Sequence, residues 1–83
     1  MIKLNPEDED DQRLAFDCWE TFNNSKANWW TCEFMRLVAK SDAIHTERLA
    51  TSFPREVRMY QEWVDGDQNA FAEKWGIRTR SGL

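Results

Sequence analysis

Cys18, Cys32, His45 and the acidic run Glu7-Asp8-Glu9-Asp10-Asp11 are the groups in this chain whose types could do chemistry. A thiol beside an imidazole is the raw material of nucleophilic catalysis, and neighbouring carboxylates are that of acid–base catalysis. The spacing specifies neither. Nothing in the sequence brings His45 to either thiol, and a lone helical histidine is expected at the surface or at a cap. Consecutive exposed acids lack the unlike surroundings that tune one carboxyl as an acid and another as a base. Asp65, Asp67 and Asn69 imitate the first three ligands of a calcium loop. Its sixth position is Ala70 where glycine is needed, and its twelfth is Gly76 where a bidentate glutamate is needed. No metal, cofactor or enzymatic activity is expected.

The two cysteines are expected to act as small buried hydrophobes. A Cys18–Cys32 disulfide would require an oxidising compartment, which is not expected, since no signal peptide is read in the sequence. Asn23-Asn24-Ser25 matches the glycosylation pattern, which matters only in a secreted chain. No apolar run approaches the length of a membrane span. A cytoplasmic location is therefore expected.

Eighty-three residues with a net charge of −4 make one small domain. Folding at this size buries roughly 60–65% of the unfolded surface, so stability is modest. Five Trp, five Phe and one Tyr supply the missing apolar area. Acids crowd the first twenty residues against only Lys3 and Arg13, while Arg78 and Arg80 stand without an acid in the last six. An acidic chain lacks the general attraction to phosphate on which non-specific nucleic-acid binding rests. The weaker alternative is a small helical DNA-binding regulator using Arg55 and Arg58, with Arg48 and Arg36 near. The Phe53-Pro54 corner is unlike the glycine-containing turn of a helix-turn-helix, and Glu56 and Glu62 offset the arginines.

The elements that must position these groups are all helical. Asn5-Pro6 predicts a cap and first position for a helix running to Phe22, with Leu14, Ala15, Cys18, Trp19 and Phe22 inward. A second helix is expected from Ser25–Asn28 to Lys40, with Ala27, Trp30, Phe34, Leu37 and Val38 inward and Trp29 and Met35 widening that face. Asp42 caps a third, to about Thr51, burying Thr46, Leu49 and Ala50 and leaving Ile44 outside. Pro54 opens a fourth, to Val64, whose stripe is Phe53, Val57, Tyr60 and Val64. Asp67 caps a fifth over Gln68–Trp75, closed by Gly76 in a left-handed stop with Ile77 folding back. No segment alternates as a strand would. The expectation is a compact all-α bundle of four or five short helices, one helical domain over residues 1–77, and a frayed basic tail over 78–83.

Phe16, Trp29, Met59 and Trp63 lie off the best-defined stripes. Large apolar groups outside a core are enriched at protein interfaces, although helices packed around one centre also bury more than one face each. The expected partner surface therefore comprises these four together with Glu7, Asp8, Asp10 and Asp11, whose charge suits a partner with a basic surface. A homodimer through an aromatic face is the structural alternative.

The run Ser41-Asp42-x-x-His45-x-x-x-Leu49-x-x-x-Phe53-Pro54-x-Glu56-Val57-x-x-Tyr60-x-x-Trp63 resembles a segment of small bacteriophage and prophage proteins. The typical pattern there is Asp-x-x-Asn-x-x-x-Leu-x-x-x-Phe-Pro-x-x-Val-x-x-Tyr, followed by a further short helix; this chain carries His45 in place of the Asn. The resemblance covers a quarter to a third of the chain. It implies a phage origin and a helical fold, and it transfers no catalytic or binding residue. The expected function is that of a non-catalytic accessory protein that binds a host or phage protein, in host takeover or counter-defence.

Overall fold

A computed structural model describes residues 2–77. It is all-α: α1 (Glu9–Asn23), α2 (Trp30–Ala39), α3 (Ala43–Ser52), α4 (Pro54–Asp65) and α5 (Gln68–Trp75), with no strand among the described residues. The tail expected at 78–83 lies outside the described residues.

The first helix starts later than its sequence suggests. Asn5 begins a turn, closed by Asp8 N–H donating to the Asn5 carbonyl at 3.0 Å, and the cap is Asp8, whose carboxylate accepts from Asp11 N–H at 3.0 Å. Both residues are capping types; the Asn5 Oδ1 instead accepts from Glu7 N–H at 3.0 Å within the preceding turn, and the Asn5 N–H donates to the Asp11 carboxylate at 2.9 Å. The second helix also starts late. Residues 24–28 form a linking turn, with Ala27 N–H donating to Asn24 O at 3.0 Å, and Trp29 occupies the cap position without a side-chain bond. Ala27 is nevertheless buried, as its place on the apolar pattern predicts. Arg36 reaches back from α2 to the carbonyls of Thr21 (3.2 Å) and Asn24 (3.4 Å), completing the acceptors at the end of α1, which has no basic residue in its own last turn.

Phe53 is both the last cap of α3 and the first cap of α4. Its N–H donates to Leu49 O at 2.7 Å, and its carbonyl accepts from Val57 N–H at 3.1 Å. Gly76 has φ 66°, the left-handed conformation expected of it, and Ile77 N–H closes onto Ala72 O at 2.8 Å.

Helix α4 is the hub and packs against each of the other four. One side, through Val57, meets Phe34 and Val38 of α2, with Leu49, Ala50 and Phe53 around them. The other side, through Met59, joins Ala15, Cys18, Met35, Phe71 and Trp75, edged by Leu4, Trp19 and Trp63. Tyr60 touches both clusters. Helix α3 fully buries no residue.

This two-sided burial corrects the stripe reading at several points. Met59, expected off the core, is completely buried, because a hub helix has no outward face at that position. Trp30, Leu37, Phe22 and Val64, all expected inward, keep large exposed surfaces. On α2 the buried arc has rotated toward Cys32 and Met35, which face α1, so Trp30 and Leu37 end on its margin.

Candidate partner-binding site

Groups able to do chemistry are not gathered. His45 is exposed on the first turn of α3, its Nδ1 2.8 Å from Asp42 Oδ1 and its N–H on the same carboxylate at 2.7 Å, a capping arrangement. Cys18 and Cys32 are free and fully buried. Burial, aided by the neighbouring Cys32 and Asp17, pushes the Cys18 thiol far above its ordinary pKa, so it carries no thiolate to react. Desolvation also raises Cys32, whose Sγ lies 3.7 Å from the Asp17 carbonyl. Among the described residues no three His, Cys, Asp or Glu side chains are placed to hold a metal ion. No helix among them is long and apolar enough to cross a membrane.

Of the expected partner acids, Glu7 and Asp10 are exposed and free to act at a distance. Asp11 is not: it is 4% exposed and paired with Arg55, which also reaches Asp8 at 3.3 Å. Burial raises the Asp11 carboxyl, but the Asn5 N–H and the Arg55 guanidinium outweigh it and hold the group below its ordinary range. Asp8 and Asp11 are therefore structural, fastening the N-terminal turn to the first turn of α4. The same pairing removes Arg55 from the set available to phosphate, and Arg58 is half-buried.

The off-stripe rings divide in the same way. Met59 belongs to the core, and half-buried Trp63 stands edge-on to Trp19 (5.7 Å) and Phe71 (5.1 Å) and stacks with Phe22 (5.5 Å). Phe16 and Trp29 remain outside, 47% and 40% exposed. They come together at an open groove of about 1050 Å³ between α1, the α1–α2 link and the end of α5. Trp75, Gly76 and Ile77 supply its far wall; Glu9, Gln12, Arg13 and Asp17 supply the α1 side. Arg13 and Asp17 also line a smaller cleft of about 220 Å³ shared with Asp10, Arg55 and Glu56, so these two residues form the divide between the hollows. Desolvation raises the Asp17 carboxyl above its ordinary pKa, more than hydrogen bonding from Trp29 and Thr31 and the charge of Arg13 lower it.

Asp17, Trp75 and Ile77 were not singled out from the sequence, and Glu9 only as part of the acidic run. Asp17 has the spacing of an ordinary helical surface acid, and Trp75 and Ile77 are assigned to packing and capping. Only the return of α5 to α1 brings Trp75 and Ile77 to the groove that Phe16 lines. No protein-family model, curated protein or solved structure matches the chain.

Proposed function

We propose that this chain is a small non-catalytic accessory protein of phage type that docks on another protein of host or phage, serving host takeover or counter-defence. The observation that carries the proposal is the convergence of Phe16 and Trp29, both exposed and in different segments, on one open groove. Two large rings kept out of an otherwise ring-hungry core are the kind of group that anchors an interface. Exposed Glu9 on the groove, with Glu7 and Asp10 exposed at the same end of the chain, suits a partner with a basic surface, because such charges steer association and fix its orientation. The phage assignment, with action in the host cytoplasm, rests on the resemblance of the Ser41–Trp63 segment. The separation of His45 from two buried thiols supports a role without catalysis.

The test is capture from host lysate, read by mass spectrometry, with the parent chain against Phe16→Ala plus Trp29→Ala. A partner retained by the parent and lost by the pair is the expected result. Equal capture overturns the groove as the contact region. Reversal of Glu7, Glu9 and Asp10 to Lys probes the steering charges while leaving Asp8 and Asp11 at their structural posts.

Self-association has one observation in its favour. Trp30, 58% exposed, stacks on Phe34 at 5.3 Å beside half-exposed Leu37, an apolar margin away from the groove. Light scattering giving the mass of two chains, reduced to one by Trp30→Ala, would establish it. A DNA-binding regulator has less support, since Arg55 is already neutralised; retardation in a low-salt gel shift would revive it.

A further inference from the structure

The groove holds rings and carboxylates together, which makes it unsuited to a purely apolar occupant. An apolar side chain seated there would desolvate Glu9 and Asp17 without replacing the water they lose. A cation would replace it. We propose that the groove takes an arginine side chain presented by the protein partner, stacked on Trp29 and Phe16 and paired with Asp17. This rests on the docking function above and supplies the chemistry of the occupant.

Several observations favour arginine. Its guanidinium is planar and weakly hydrated, so it stacks on aromatic faces while keeping in-plane donors for a carboxylate. Phe16 and Trp29 offer exposed ring surface, and Asp17 stands half-buried between Trp29, Thr31 and Arg13. Arg13 offsets part of the negative charge, and as a like charge it opposes the occupant. The same grouping already exists once in the fold: Lys74 Nζ lies 5.3 Å from the Trp75 ring centroid, and Glu62 Oε1 accepts from Lys74 at 2.6 Å and from the Trp75 indole at 3.1 Å.

The experiment titrates the isotope-labelled full chain with N-acetyl-Gly-Arg-Gly-amide and with its citrulline twin, which has the same shape without the charge. The Trp29 indole N–H signal, assigned with Trp29→Phe, is expected to move saturably with the arginine peptide, with Kd on the order of 1 mM. The citrulline peptide is expected to bind about two- to fivefold more weakly or not at all. Asp17→Asn weakens the arginine peptide by a similar factor, and Arg13→Ala strengthens it by about twofold. Equal affinity for the two peptides overturns the inference, as does weakening by Arg13→Ala, or no movement of the Trp29 signal up to about 10 mM peptide. The docking function is judged separately. If Phe16→Ala plus Trp29→Ala abolishes partner capture while the two peptides behave alike, the groove still docks a partner but not through arginine. If capture is unchanged, the docking function itself falls.

Discussion

The carboxylate of Asp11 accepts the Arg55 guanidinium from 44 residues away and the Asn5 N–H from six residues back. One buried side chain thus joins the N-terminal turn, the start of α1 and the start of α4. No buried side-chain polar atom among the described residues lacks a hydrogen-bond partner, and Asp11 shows how: each of its oxygens is engaged.

Replacing Asp11 by Asn should lower stability by about 2 kcal/mol in urea unfolding, because a buried acceptor for a charged donor is lost. Arg55→Ala should cost at least as much, because it leaves the Asp11 carboxylate buried without its cation. The pH dependence follows from the lowered pKa. The contribution is complete above the unfolded-state value of about 3.9 and is lost as pH falls through the lower folded value. Urea midpoints taken downward from pH 5 should therefore drop more steeply in the parent than in Asp11→Asn.

Asp17 has the opposite sign. Its folded pKa is raised, so the folded state binds the proton more tightly and loses stability as pH climbs from the unfolded value through the folded one. Asp17→Asn should melt at or above the parent temperature at pH 7, with the gap closing in acid. A lower melting temperature at pH 7 would show that Asp17 is there to hold the fold, not to meet a partner.

Met59→Ala should cost about 2–5 kcal/mol, the usual range for emptying a fully buried site. Phe16→Ala should change stability by no more than about 1 kcal/mol, because its ring is nearly half in solvent. Chemical denaturation of the two variants side by side measures this contrast, which separates a core residue from a contact residue although both sit off the sequence stripes.

Cys18 and Cys32 should resist a thiol reagent in the native protein and react promptly once the chain is unfolded in urea, monitored by absorbance at alkaline pH. Their modification rate then reports opening of the central cluster around Cys18 and Met35.

Much of the architecture is legible in the chain because capping is local chemistry. Asp42, Asp67, Pro54 and Gly76 each act where their residue types direct. The start of α1 is misplaced because Asn5 and Asp8 are both good caps three residues apart, and helical spacing does not choose between them. The start of α2 has no capping side chain to mark it. Burial is less legible where a helix has neighbours on two sides: helical spacing identifies one stripe, and Met59 occupies the second. Phe16 and Trp29 stand out in the sequence as rings without a stripe. That they share a groove with Trp75 and Ile77 depends on how α5 returns to α1, which no local spacing encodes.

Because Phe53 ends one helix and begins the next, the joint between α3 and α4 has no spare length. An inserted residue there would turn the inward side of α3 away from Val57 instead of looping out harmlessly. The solvent side of α3 carries no such restriction, so sequence change in this helix should accumulate on Ile44, Glu47 and Arg48 while its connection to α4 stays the same length.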